Sequence, residues 1–556
     1  MKKTISSILS LTLAAGLLLS GCGSSVAEIA ATPQETSSET SAEAKDTSAD
    51  SAGIKQEESS GNAEEGEKTV TFGTSTLWET FNYLDTTSTP TDWVIEEFFD
   101  RLVVINTDGS FDPRIAKSWD IDGTDITFHL DENAKWHDGE PVTAEDIVYT
   151  FRLQSSPDVQ WLRQSNVKYL EGTDDNGKET GEDSIAVTAV DEHTVKLQLK
   201  QPADETRIFS TILRDVFVLP SHLLKDIPDA DIKDAPFWSS PVGSGPFIFN
   251  SQIDGERVEG DANPDYFLGR PNFDHIVIRF MDASTLAAAL LNGEVDITSD
   301  VSISDLDTLK ANPDITVESK KSFHYQDLCL NLKDDAFSDK NVRIAFDKAI
   351  NKQAIIDNLY KGFGEPAKTI LSSSHPYFNQ SVLGNAYDPD AAKKLLEDAG
   401  FDFTRTYELT VPKGNQARER SAVLIQQDLK AVGVDVSIVT YDFATALQNM
   451  RDNKYDLLLM GSAGRVDPED GGVSYFSHTE DPKFKELWDK QASGTSFEER
   501  KSYLDEYQQY FVEEVPIVVL YFPDRFVFFR NRLSNVPFTD KTDFYINKKS
   551  WEWEVK

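Results

Sequence analysis

Val434-Asp-Val-Ser-Ile-Val-Thr-Tyr441, then residues 444–451, then Tyr455-Asp-Leu-Leu-Leu-Met460 follow one another along the chain, and their order decides the fold class. The first and last runs are rich in β-branched and aliphatic residues and read as strands. The run between them reads as a helix, and a further helix before them stops at Gly433. A strand–helix–strand unit of this length predicts a right-handed parallel crossover and an α/β protein. In such sheets ligands lie beyond the carboxyl ends of the strands, which directs attention to Gly461 and the residues after it.

Working outward, the same alternation recurs. Thr143-Ala-Glu-Asp146 opens a helix as a capping box, with Ile147, Val148 and Phe151 following at helical spacing. Asp388 and Pro389 start another helix, Leu395 and Leu396 form its apolar stripe, and Gly400 stops it. Structure begins near Val70-Thr-Phe, and no repeat of fixed period occurs. A chain of 556 residues implies two or three folded units, and 33 Phe, 17 Tyr and 9 Trp supply large cores. A formal net charge of -41 excludes a nucleic-acid partner, which needs a Lys/Arg surface, and excludes adhesion to anionic headgroups through protein charge.

The first residues read as an address. Lys2 and Lys3 precede an apolar run over 5–19 that ends Leu19-Ser-Gly-Cys22. The run is short for a membrane span and has the layout of a secretory signal. Small residues just before a cysteine resemble the bacterial lipobox, which implies cleavage before Cys22 and lipid on its sulfur. Residues 23–68 are mostly Ser, Thr, Ala, Glu and Asp, with almost no larger aliphatic residues and no aromatics. Such a segment buries too little apolar surface to offset its ordering entropy, so a disordered, charge-extended tether is expected over 22–68. With Cys22 consumed, Cys329 has no partner; between Leu328 and Leu330 it reads as a small buried hydrophobe.

Several ordered segments resemble the peptide/nickel class of solute-binding proteins, relatives of the dipeptide and oligopeptide receptors. They are Pro113-Arg-Ile-Ala-Lys-Ser-Trp119, Thr127-Phe-His-Leu130, Trp136-His-Asp-Gly139, Thr143-Ala-Glu-Asp-Ile-Val148, Pro241-Val-Gly-Ser-Gly-Pro-Phe247, Asn263-Pro-Asp-Tyr266, Leu291-Asn-Gly-Glu-Val-Asp296 and Asn341-Val-Arg-Ile-Ala345. The resemblance spans about residues 70–530. It implies a two-lobed periplasmic-binding-protein fold of type II with an accessory domain on lobe I. Lobe I is expected over 69–116, 205–318 and 522–556, the accessory domain over 117–204 and lobe II over 319–521. It also implies a monomeric extracytoplasmic receptor, held to the membrane by lipid, that delivers a peptide or peptide-like solute to an ABC permease and ATPase. Relatives that carry metal–chelator complexes keep a second reading open; a surface hydrolase or an adhesin belongs to other classes.

The residues argue against an enzyme. Neither H-E-x-x-H nor C-x-x-C occurs, and Gly243-Ser-Gly245 is no nucleophile elbow. Gly172-Thr-Asp-Asp-Asn-Gly177-Lys178 mimics a P-loop, but Glu179 stands where a hydroxyl is needed. As a calcium loop it fails because Gly172 fills the first ligand position. No catalytic residue, cofactor or metal site is expected. For ligand binding, the resemblance places the loop Thr74-Ser-Thr-Leu-Trp78-Glu-Thr-Phe81-Asn82 at the cleft, where Trp78 and Phe81 pack either on ligand or on core. Tyr325 opens the first strand of lobe II. In Gly461-Ser462-Ala-Gly-Arg465-Val-Asp467-Pro468 the family's usual ammonium-capturing Asp is replaced by Arg465, and Ser462 stands where Trp is usual. Arg465 is a planar fork suited to a carboxylate of the ligand, or to an internal acid such as Asp467.

Overall fold

The computed structural model describes residues 66–86, 89–106, 108–213, 216–462, 464–468, 479–536 and 549–556. The leader, Cys22 and nearly all of the expected tether lie outside the described residues. Its last two residues belong to the body. The Lys68 amide donates to Asp274 (2.9 Å), the Lys68 carbonyl accepts from the amides of Asp274 and His275, and Glu67 pairs with His275 (3.2 Å).

A seven-stranded mixed sheet is built from distant pieces of chain in the order Ile315–Lys320, Arg525–Arg530, Ile297–Thr298, Thr69–Thr74, His275–Phe280, Arg257–Ala262 and Phe247–Ile253. Thr69–Thr74 runs parallel to His275–Phe280 and to Ile297–Thr298. Its Val70 and Phe72 point into the core. At Gly73 a Cβ would lie 2.8 Å from Leu286 and 2.9 Å from Val295, so only glycine lets helix Ala283–Asn292 settle on this strand.

The opening stretch lies in a second sheet of six strands, ordered Gly364–Pro366, Val518–Pro523, Tyr325–Leu330, Leu457–Ser462, Thr406–Pro412 and Asp435–Tyr441. The crossover is parallel, but its two strands are not neighbours: Thr406–Pro412 lies between them and pairs parallel with both. The last strand starts two residues later than the apolar run suggests. Asp456 is drawn off to Arg405 (2.5 Å) and the Glu408 amide (2.8 Å). Tyr325–Leu330 is buried along its whole length and separates two cores, with Leu328 and Leu330 on one face and Tyr325 and Cys329 on the other.

Between strands Thr69–Thr74 and Phe247–Ile253 of the first sheet in sequence, a four-stranded antiparallel sheet over 116–198 packs under helix Ala144–Ser155, whose Thr143–Asp146 capping box forms as the sequence indicates. Two short segments join the large sheets: residues 321–324 and the single residue Asp524. The boundary expected at 319 therefore falls inside strand Ile315–Lys320, which pairs along its length with Arg525–Arg530. Register shows what these crossings connect. Arg525 pairs with Lys320 at the edge where Ile297–Thr298 ends, and Tyr325 pairs with Ser462 where Leu457–Ser462 ends. The carboxyl ends of the parallel strands of both sheets are thus brought together.

Candidate functional site

On the first sheet, one carboxylate ties two strand exits. Asp300 Oδ2 accepts from the Thr74 hydroxyl (3.0 Å), the Ser75 amide (2.8 Å) and the Ser75 hydroxyl (2.9 Å). Its Oδ1 accepts from Ser299 (3.1 Å). The loop after Ile297–Thr298 is thereby fixed, and its Ser299, Ser302 and Ser304 form one wall of a cavity of about 570 Å³. The second sheet supplies the opposite wall, from the end of helix Lys352–Tyr360 and the first turn of helix Gln416–Ala431, including Tyr360, Gln416 and Arg420. The crossing residue Asp524, with Arg525 and Phe526 at the start of the next strand, completes it. That volume is typical of a small-ligand site.

Deeper in the second wall, Arg418 Nε donates to Gln326 Oε1 (2.9 Å). The Gln326 amide in turn donates to His324 Nε2 (3.3 Å). Burial pushes the His324 pKa down to about 4, with Arg525 and Arg418 adding to the effect, so the ring is a neutral acceptor. Gly461 matters through space: a Cβ there would stand 2.6 Å from Gln326 Nε2 and 2.7 Å from the Tyr325 carbonyl.

The residues expected from sequence distribute unevenly. Tyr325, Ser462, Arg465 and Asp467 do converge, together with Phe323 and His375, but around a space of only about 20 Å³. That holds one water molecule, not a solute. Asp467 serves a cation that the sequence does not suggest. Its carboxylate is fully buried and bound bidentately by Arg500 (2.8 and 3.2 Å), whose Nη1 also meets Asp204 (2.7 Å). Arg465 is half-buried and engaged within the chain, and its carbonyl accepts from His375 Nε2 (2.8 Å). Phe81 is 1% exposed, packed edge-on against Phe98 and Phe249, and therefore core. Asn82 is buried beside it, and Trp78, half-buried, packs at a tilt on Phe81 with ring centroids 4.5 Å apart. Of the three, only Trp78 keeps a surface for a ligand.

Sequence reasoning missed the wall that carries Tyr360, Gln416 and Arg420, and Arg418 on the same helix beside it. A signal was present: the carboxyl-end rule that singles out Gly461 applies equally to the parallel neighbour Thr406–Pro412, whose exit loop leads into Arg418 and Arg420. The P-loop mimic is a hairpin, with Asp174 Oδ1 accepting from the amides of Asn176 (2.8 Å) and Lys178 (2.9 Å). Among the described residues no group of three or more His, Cys, Asp or Glu is placed to hold a metal ion, and no helix is long and apolar enough to cross a membrane.

Comparison with known proteins matches residues 110–484 to the model of the bacterial extracellular solute-binding proteins, family 5, middle part. The oligopeptide-binding protein AppA of Bacillus subtilis is 25% identical over 513 residues, 86% of this chain and 90% of that protein. Among solved structures, the ABC transporter substrate-binding protein CtaP of Listeria monocytogenes superimposes with a TM-score of 0.78 at 22% identity, covering 88% of this chain and 100% of that one. NikZ of Campylobacter jejuni, in complex with Ni(L-His), superimposes with a TM-score of 0.69 at 22% identity over 88% of this chain and 100% of its own.

Proposed function

This chain belongs to the bacterial extracellular solute-binding proteins of family 5, and from that premise we propose that it captures a peptide between its two sheets and delivers it to an ABC permease. The observation that carries the reading is the 570 Å³ cavity, walled by both sheets and by the crossing residue Asp524 with Arg525 after it. A solute held there touches both lobes, so its binding favours the arrangement in which they are closed, and a permease can distinguish that arrangement from the open one. The peptide as solute follows the relatives, since one that is alike over 86% of this chain is named for oligopeptide binding. Lipid on Cys22 would hold the receptor at the membrane as a monomer, outside the cytoplasm.

A second reading takes the solute as a metal–chelator complex. It is favoured by the likeness to NikZ, solved with Ni(L-His), and by arginines that suit a chelator's carboxylates. Native mass spectrometry of protein purified without refolding separates the two. A co-purified peptide mass supports the first; a metal-bearing mass that disappears with a strong chelator supports the second and overturns the first.

A further inference from the structure

We propose that Arg418 is the anchor for a carboxylate of the solute, and that Gln326, reaching across Gly461, is the residue that positions it. The proposal rests on the peptide-receptor reading and names the group by which the peptide is held. It also places that group away from Arg465, where sequence alone would put it.

The first ground is geometric. Arg418 spends its Nε on Gln326 and nothing else. Its two Nη groups make no hydrogen bond or ion pair among the described residues, and neither is sealed from solvent. A guanidinium fork fixed at its neck with both tines open has the shape that binds a carboxylate bidentately.

The second ground is electrostatic. Arg418 is half-buried, and burial disfavours its charged form. The acid that acts on it most is Asp327, whose own carboxyl burial pushes up to about 7, so it is only partly ionised near neutrality. A desolvated cation without a fully ionised internal partner gains from an anionic ligand. The cavity beside it carries more positive than negative charge in a chain of net charge -41: Arg420 is exposed and makes no ion pair among the described residues, and Lys361 and Arg525 line that cavity with it, against one acid, Asp524.

The third ground is the fixing of the fork. Gln326 is 4% exposed, with its amide nitrogen near both His324 Nε2 and the Tyr325 carbonyl (3.4 Å), so its Oε1 is aimed at Arg418. Any side chain at 461 would collide with that amide. Gly461 therefore acts on the ligand through Gln326 and Arg418.

The test uses ligand-stripped full-length protein and two pooled libraries of short random peptides, one with free C-termini and one amidated, with retained peptides quantified by mass spectrometry. Wild type should retain free acids over amides by at least about thirtyfold, the scale expected for removing one partner of a buried charged pair. Arg418→Gln should bring free acids down to the amide level and leave amide retention unchanged. Arg418→Lys keeps the charge without the fork and should weaken free acids by about tenfold. Gln326→Ala and Gly461→Ala should each erode the acid-over-amide preference, and combined with Arg418→Gln should add nothing further. If wild type retains acids and amides equally, the anchor is wrong while the peptide reading stands. If Arg418→Gln lowers both libraries by one factor, Arg418 is structural and the proposal is overturned. If wild type retains neither library, the peptide reading itself fails, and the anchor with it.

Discussion

Single residues set how this protein meets acid and base. His137 and His375 each commit both ring nitrogens. His137 accepts from the Gly243 amide (3.2 Å) and donates to the Gly245 carbonyl (3.0 Å). His375 accepts from the Tyr377 amide (3.1 Å) and donates to the Arg465 carbonyl (2.8 Å). Burial holds their pKa values down to about 4 and about 3. With folded values below the unfolded value of about 6.5, their contribution is complete above that pH and is lost as pH falls toward the folded values. His375→Gln should reduce the acid-side dependence of unfolding free energy by up to about 1.4 kcal/mol per pH unit, one proton's worth. Urea titrations at stepped pH measure this, and an unchanged slope would show the ring to be hydrated. Asp327 has the opposite sign. Its raised pKa means stability is lost as pH climbs from the unfolded value of about 3.9 through about 7. Asp327→Asn should therefore stabilise the protein at mildly alkaline pH and change little in acid; equal effects at both would exclude titration as the cause.

At the scale of elements, what is local in the chain was legible and what is distant was not. The Thr143–Asp146 box involves residues three apart, so sequence alone locates the start of its helix. The shifted start of Leu457–Ser462 depends on Arg405 and Glu408, some fifty residues earlier, and the alternation of apolar residues carries no trace of them. Asp467 is the clearest case. It looks like a site residue because Asp-Pro ends a strand at the cleft, yet Arg500, in the first turn of helix Phe497–Glu514, claims it together with Asp204 from before residue 205. Tyr377 also donates to Asp204 (2.9 Å), and the Asp467 amide donates to Ser210 (3.1 Å), so this network pins the second sheet to the segment after the four-stranded one. Arg500→Leu removes the guanidinium that two buried carboxylates share and should cost about 3–5 kcal/mol. Adding Asp204→Asn and Asp467→Asn should recover most of that loss, because the cost lies in burying carboxylate charge that has lost its guanidinium. Denaturant unfolding of the single and triple variants decides it; a single variant within about 1 kcal/mol of wild type would mean that water reaches the network.

For the whole molecule, α/β character and the crossover could be read from one stretch, because periodicity and short connections express backbone rules that hold everywhere. The placing of the cavity could not, since it is formed by four segments from 299 to 526 that meet only when two sheets are set end to end. Its position gives the last two predictions. Cys22→Ala should release the receptor from membranes into a soluble fraction, and equal retention of both forms would remove the lipid anchor from the proposal. The other concerns coupling between the lobes. The cores of the two large sheets are separate clusters, joined through the crossing segments and the Arg500 network, so each lobe has its own driving force for folding. A peptide touching both walls binds only when both lobes are folded, and at a hundredfold excess over its Kd it contributes about 2.7 kcal/mol. That energy is unavailable to either lobe alone, so it raises the transition of whichever lobe melts first. Scanning calorimetry of ligand-stripped protein should show a broad or split transition that sharpens and rises when the best-retained library peptide is added. A rise confined to one of two resolved transitions, the other staying in place below it, would mean that the peptide is held by a single lobe.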